Sequence, residues 1–307
     1  RAQKRGGRGV QGTGVNNDDF VRELVSTSTH DTLLFFTNFG RVYRLKAYEI
    51  PEYGRTAKGL PIVNLLKLED GETIQTIINA RKEETAGKSF FFTTKQGIVK
   101  RTEVSEFNNI RQNGLRALKL KEGDQLINVL LTSGQDDIII GTHSGYSVRF
   151  NEASIRNMGR SATGVRGVKL REDDRVVGAS RIQDNQEVLV ITENGFGKRT
   201  SATDYPTKGR GGKGIKTANI TPKNGQLAGL VTVDGTEDIM VITNKGVIIR
   251  TNVANISQTG RATLGVKIMK LDADAKIVTF TLVQPEDSSI DEINTDRENS
   301  ISKNKDN

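Results

Sequence analysis

The octapeptide TKQGIVKR, Thr94–Arg101, reads as the turn and second strand of a β-hairpin, and its frame recurs. TNFGRVYR begins at Thr37, THSGYSVR at Thr142, TENGFGKR at Thr192 and TNKGVIIR at Thr243, so that five copies fit T-x-x-G-x-x-x-R. A short apolar run precedes each copy (LLFF, FFF, III, VLVI and IMVI) and an alternating segment follows it. An apolar strand, a glycine where the turn needs positive φ, and a second strand make a hairpin. The motif glycines stand at 40, 97, 145, 195 and 246, which is 57, 48, 50 and 51 residues apart. That period is the mark of a repeat architecture and leaves room for about four strands per unit.

A second element lies 17 to 19 residues beyond each motif glycine: GRTAKG, IRQNG, GRSATG, GRGGKG and GRATLG, ending at Gly59, Gly114, Gly164, Gly214 and Gly265. Counting back one period from Gly59 reaches Gly9, the end of KRGGRG, so the opening residues are the second element of a sixth unit whose own hairpin would lie upstream of Arg1. The intervening segments, such as VNLLKLEDGETIQTII and LRALKLKEGDQLINVL, supply the remaining strands, with EDGE and KEGD read as hairpin turns. Six units of this size predict an all-β, propeller-like closed disc at residues 1–284, its first blade truncated, in which no long sheet edge stays exposed. A linear β-solenoid is the competing arrangement. No helix signal exceeds about two turns before the tail.

Composition narrows the function classes. The chain has 307 residues, 35% of them hydrophobic, with neither Cys nor Trp and no apolar run long enough to span a membrane. A cytoplasmic setting is the default; the first residue is Arg, so the lack of a visible signal peptide carries no weight. The stretch from Gln284, QPEDSSIDEINTDRENSISKNKDN, holds seven acidic and three basic residues without periodicity, and residues 285–307 read as a disordered acidic tail. Removing it leaves 42 basic against 30 acidic residues, an excess of 12, which suits a polyanionic partner.

The period orders the cations into two series. Arg44, Arg101, Arg149, Arg199 and Arg250 close the hairpins; Arg5, Arg55, Arg160, Arg210 and Arg261 sit four residues before the second-element glycines, with Arg111 next to that place in the third unit. Lys58 and Lys213 precede two of those glycines. A ring of equivalent turns would present such charges around its rim, and a curved row of cations suits a duplex bent over an edge. The strand-end series has a second reading, in which each Arg covers apolar surface or pairs with a carboxylate of the next blade. Catalytic readings are weak. GRGGKG lacks the Ser or Thr that a nucleotide loop needs after its lysine. His30 and His143 are the only histidines and fall in unrelated places, and Asp18 and Asp19 read as turn residues.

With these motifs in place, the chain resembles the carboxy-terminal domain family of the DNA gyrase A subunit, from the type IIA topoisomerases. QKRGGRG, comprising Gln3, Lys4, Arg5, Gly6, Gly7, Arg8 and Gly9, is similar to that family's box Q-R-R-G-G-K/R-G, with Lys4 the one departure. The resemblance covers residues 1–284 and implies a six-bladed β-pinwheel that wraps duplex DNA around its rim without base specificity. It implies that the parent enzyme is an ATP-dependent topoisomerase that introduces negative supercoils, while this segment holds no catalytic centre, metal or cofactor. ATP and Mg²⁺ belong to the holoenzyme, an A2B2 assembly of gyrase A and gyrase B proteins in the bacterial cytoplasm, associated with the chromosome. The isolated domain would be monomeric and without a membrane partner. The homologous domain of topoisomerase IV, an architectural DNA-bending protein and a protein-binding propeller are the alternatives.

Overall fold

A computed structural model describes residues 10–11, 27–53 and 59–283. The box Gln3–Gly9, Asp18, Asp19, Arg55, Lys58 and the tail 285–307 lie outside the described residues.

The repeated octapeptide is a hairpin in every copy. Arg41–Lys46 pairs antiparallel with Thr32–Thr37, Ile98–Glu103 with Ser89–Thr94, and Tyr146–Asn151 with Asp137–Thr142. Phe196–Ser201 pairs likewise with Glu187–Thr192, and Val247–Asn252 with Asp238–Thr243. The motif threonine closes the turn twice. Its carbonyl accepts the glycine N–H at 3.0 or 3.1 Å, and its hydroxyl accepts the N–H four residues on, as from Ile98 to Thr94 at 3.1 Å. The same hydroxyl bond recurs at Thr37, Thr142, Thr192 and Thr243.

A third strand lies inside each hairpin: Ile74–Asn79, Leu126–Thr132, Val176–Ile182, Leu227–Val233 and Ile277–Val283. The register slips by one residue at the motif threonine in all five pairings, a bulge that sharpens the local twist. The EDGE and KEGD turns are therefore not two-strand hairpins, as the sequence pattern suggests. Only the segment after each turn joins its own unit's sheet. The segment before it does not pair across the turn: it buries Leu66 in the first unit and Ala117 and Leu118 in the second.

The fourth, outer strand comes from the next unit. Leu115–Arg116 pairs with the hairpin strand Arg41–Lys46, Val165–Arg166 with Ile98–Glu103, Ile215–Lys216 with Tyr146–Asn151, and Val266–Lys267 with Phe196–Ser201. Val10–Gln11 completes the last sheet on Val247–Asn252, so the chain's start fastens to its end. The described residues thus form five four-stranded sheets, not six. The expected sixth unit falls on residues that contribute, within the described part, only the strand lent to the last sheet.

Burial sits between the sheets. Phe36, Phe90, Phe92 and Phe107 meet edge to face or tilted between the first and second, with ring centroids 5.2 to 6.5 Å apart. Mainly aliphatic clusters, joined by Phe91 and Phe150 in one and Tyr205 in another, fill the three following gaps. The other face of the first sheet buries Leu33, Phe35 and Tyr43 against its own unit's Leu66. Among the described residues the five exposed large apolar ones, Phe39, Tyr48, Tyr53, Leu60 and Val63, belong to this unit. The successive inner strands are neighbours and line a central cavity of about 670 Å³. Among the described residues no helix is long and apolar enough to cross a membrane.

The motif glycine serves the exchange as well as the turn. At Gly97, φ is +84° and an added Cβ would stand 2.7 Å from Val168 Cγ1 and 2.9 Å from the Val168 carbonyl, where the next unit crosses. Gly123, also at positive φ (+73°), has only the Gln96 side chain within 4 Å, at 3.7 Å. Gly123→Ala is expected to cost the left-handed backbone term, about 1–2 kcal/mol. Gly97→Ala should cost that and about 1–3 kcal/mol more for overpacking. Urea unfolding of the two variants measures the difference.

Candidate nucleic-acid interface

The exchanged strands and the turns before them form one belt. The motif glycine's carbonyl accepts the first N–H beyond each exchanged strand: Ala117 to Gly40, Gly167 to Gly97 and Thr217 to Gly145 at 2.8 Å, Ile268 to Gly195 at 2.9 Å. Neighbouring second elements then bond to each other. Lys119 N–H donates to Ala162 at 3.1 Å, Lys169 to Gly212 at 2.8 Å and Asn219 to Thr263 at 2.9 Å. Arginine side chains add rungs: Arg210 donates to the Arg166 carbonyl at 3.1 Å, Arg261 to Lys216 at 2.9 Å and Arg171 to Lys213 at 2.6 Å.

The belt is basic throughout. Residues 111–121, 159–170, 209–220 and 260–271 each carry three or four Lys or Arg and no Asp or Glu. Arg111, Arg210 and Lys213 are exposed, and Arg160 and Arg261 are half-buried. Arg116, Arg166, Lys216 and Lys267, all exposed, form a series that the sequence reading passed over. They occupy the second position of the exchanged strands, where strand alternation turns every other side chain outward. The available signal was a cation two residues after four of the second-element glycines.

The strand-end series divides. Arg44 is exposed. Arg149 is buried: its guanidinium bonds Asp137 at 3.0 Å, Asp184 at 2.8 Å, and the carbonyls of Ala202 and Tyr205 at 3.0 and 3.1 Å. Arg199 takes Glu187 at 2.9 Å and the Ile256 carbonyl at 2.8 Å, and Arg250 takes Asp238 at 3.0 Å. Arg101 donates to the Gly134 carbonyl at 2.8 Å and stands 3.9 Å from buried Glu152, whose carboxyl burial pushes up. These four do not sit as free rim cations. Arg149 and Arg199 tie a hairpin to the next unit's backbone through carbonyls, whereas the carboxylates of Asp137, Glu187 and Asp238 belong to the arginine's own hairpin and not, as the second reading expected, to the next blade. Burial raises the Asp137 carboxyl, but hydrogen bonds from Asn151, Thr207 and Arg149 outweigh it and leave the pKa lowered.

Two lysines hold the belt from below. Lys100 Nζ donates to the carbonyls of Ala117, Gly159 and Arg160 at 2.6, 3.0 and 3.2 Å. Lys198 Nζ donates to those of Gly260, at 2.8 Å, Arg261 and Thr263, at 3.1 Å. Burial, with Arg160 or Arg261 adding like charge, lowers their pKa values to about 7 and about 8.

Strand-exchanged blades whose turns build a basic belt define a propeller-like repeat domain. The family model described as DNA gyrase C-terminal domain, beta-propeller, matches residues 1–28, 31–81, 88–133, 136–183, 186–234 and 237–284, and the chain belongs to that family. It is 99% identical over all 307 residues to the DNA gyrase A subunit of Streptococcus pyogenes serotype M1, covering 37% of that protein. It is 51% identical over 304 residues to the DNA gyrase A subunit of Staphylococcus aureus strain MRSA252, covering 98% of this chain and 34% of that protein. The chain therefore spans about a third of the length of these relatives. Among solved structures, a DNA gyrase A C-terminal domain matches with a TM-score of 0.77 and 25% identity, covering 92% of both chains. A C-terminal domain of DNA topoisomerase IV matches with 0.76 and 27%, covering 84% of this chain and 81% of that one.

The lysine anchors give a pH test with a definite sign. The folded state depresses the Lys100 pKa from 10.5 to about 7, so between those values the unfolded chain binds more protons. The stability this group contributes is full above the unfolded value, falls as pH drops towards about 7, and is level below. Urea unfolding should therefore show wild type losing stability relative to Lys100→Met between about pH 10 and about pH 7. A constant difference would refute a buried, titrating ammonium.

Proposed function

We propose that the belt binds duplex DNA and bends it around the rim without reading base identity. The observation that carries this reading is the belt itself: four successive segments with thirteen cations and no carboxylate, joined by backbone hydrogen bonds. DNA presents a charge about every 1.7 Å of duplex, so distributed cations meet phosphates in any register. Bending a short site costs on the order of 1–6 kcal/mol, which added phosphate contacts offset. The DNA-facing residues in this reading are Arg44, Arg111, Arg160, Arg210, Lys213, Arg261 and the exchanged-strand cations, joined by Arg55, Lys58 and the box Gln3–Gly9. Arg101, Arg149, Arg199 and Arg250 set the geometry beneath them.

The parent protein in this reading is gyrase A, part of an ATP-dependent type IIA topoisomerase that acts as an A2B2 assembly with gyrase B in the bacterial cytoplasm. Wrapping presents the adjoining duplex for passage, which gives negative supercoils. Catalysis, ATP and Mg²⁺ lie with the rest of that assembly. The complete disc has six units: the family model assigns residues 1–28 a segment of their own, and the exposed apolar residues of the 31–81 unit suit a neighbour on that side. The fold alone suits topoisomerase IV as well; the sequence relatives favour gyrase.

Binding is expected to fall steeply with salt, and Arg111→Ala or Arg210→Ala should each reduce the log-log salt slope by about 0.9 on random and defined sequences alike. Arg149→Gln should weaken folding instead. Base-specific loss, or a flat salt response in the parent chain, would sink the reading.

A second test addresses the box. In the reconstituted enzyme, replacing Lys4, Arg5 and Arg8 together by Ala should abolish negative supercoiling and spare ATP-independent relaxation, as read from plasmid topology. Full supercoiling by the folded triple variant would reduce the box to an ordinary turn.

A further inference from the structure

Asparagine followed by glycine occurs at Asn113, Asn194 and Asn224. The pair suits turns, which is its ordinary reading. It is also reactive: the glycine nitrogen, unshielded by a Cβ on its own residue, can attack the asparagine Cγ and close a cyclic imide.

The fold treats the three side chains differently. Asn224 is fully buried; its Oδ1 accepts from the Thr221 N–H at 2.7 Å, and its Nδ2 donates to the Asn219 and Leu264 carbonyls at 2.9 and 3.2 Å. Asn194 is half-buried; its Nδ2 donates to the Pro222 and Lys223 carbonyls at 3.3 Å, and its Oδ1 accepts from Lys276 Nζ at 2.5 Å. Asn113 is exposed, and its side chain has no hydrogen-bond partner among the described residues. The backbone does not account for this difference. Gly114 N–H donates to the Arg111 carbonyl at 3.0 Å and Gly195 N–H to the Thr192 carbonyl at 3.1 Å, so Asn113 and Asn194 hold the same third place of a β-turn. In each, the glycine amide is released only when the turn opens locally. At Asn113 alone of these two is Cγ then free to swing to it.

A second feature singles out Asn113. Its carbonyl, part of the same peptide unit as the Gly114 nitrogen, accepts a hydrogen bond from the Arg41 guanidinium. The nitrogen attacks after losing its proton, and the charge left behind spreads onto that oxygen, where the guanidinium stabilises it. Glu69 pairs with another nitrogen of Arg41 at 2.6 Å and leaves this bond in place. Among the described residues no cation meets the carbonyl of Asn194 or of Asn224, the latter accepting the neutral Asn194 N–H at 3.1 Å.

We propose that Asn113 is a self-modifying site that deamidates in the folded protein through a cyclic imide, with Arg41 as the activating group. The Gly114 nitrogen gives its proton to solvent and bonds Cγ; the side-chain nitrogen takes up a proton and leaves as ammonia. Water then opens the imide at either carbonyl, giving aspartate or isoaspartate, with nothing oxidised or reduced. The product lies in the belt segment 111–121, which carries four cations and no carboxylate. Isoaspartate also lengthens the main chain by a methylene just ahead of the exchanged strand Leu115–Arg116.

The test uses the whole chain and no DNA, so it stands apart from the wrapping reading. The protein is aged folded, at neutral and mildly alkaline pH, and unfolded in urea as a reference. Peptides carrying each Asn-Gly pair are resolved by mass spectrometry, and isoaspartate is scored with isoaspartyl methyltransferase. In the folded chain Asn113 should convert several-fold faster than Asn194 and Asn224, faster at the higher pH, with isoaspartate among the products; in urea the three should converge. Arg41→Met should slow Asn113 several-fold and leave the other two unchanged, and the wild-type comparison stands whether or not that variant folds. Equal rates at Asn113 and Asn194 in the folded chain, a gap that persists in urea, aspartate without isoaspartate, or undiminished conversion in folded Arg41→Met would overturn the proposal.

Discussion

Each of the five described sheets is completed by a strand it does not own, and that loan is the constraint on which the rest depends. A three-stranded unit with an open outer edge would leave backbone N–H and C=O groups to be met by water or another chain. Two residues from the next unit cover part of that edge, and the amide beyond them bonds the motif glycine's carbonyl. Order in one blade therefore requires its successor. Apolar burial follows the same rule, since the large clusters lie between sheets and not within them.

The octapeptide can be understood residue by residue from this. Threonine locks the turn, and glycine gives it positive φ and leaves space for the crossing chain. Arginine ties the strand end to carboxylates and, at Arg149 and Arg199, to carbonyls of the following unit. A buried guanidinium is worth retaining only where its hydrogen bonds are satisfied, and Arg149 meets that condition with two carboxylates and two carbonyls. Arg44 closes the first hairpin and is exposed. The motif preserves the residue type while its surroundings decide its use.

This is also where legibility in the sequence ends. Periodicity exposed the units, the hairpins and the basic turns, because strand alternation and turn glycines leave local marks. Strand exchange leaves none: a two-residue strand such as Val165–Arg166 is too short to show a period, and its partner lies more than 60 residues back. Nor does a strand-end arginine announce whether a carboxylate will stand beside it. Asp184, which binds Arg149, is an ordinary loop residue 35 positions away. The cations at Arg116, Arg166, Lys216 and Lys267 recur two residues after the second-element glycines, but only the exchanged strands give that spacing its meaning by turning them outward.

The loan also explains why a binding surface can be made from turns that differ so much in sequence. GRSATG and GRATLG sit on lysine ammonium groups, IRQNG sits on the Tyr43 ring, and GRGGKG substitutes a glycine amide for the missing lysine. All four end in a glycine followed by an exchanged strand, so the chain enters the belt at the same point and in the same direction. What must be kept for a cation to face outward is the pairing of that strand, which depends on backbone groups. The support beneath is free to vary. A surface that meets a uniform polyanion needs charge at regular intervals and no particular side-chain geometry, and a backbone-defined belt supplies that.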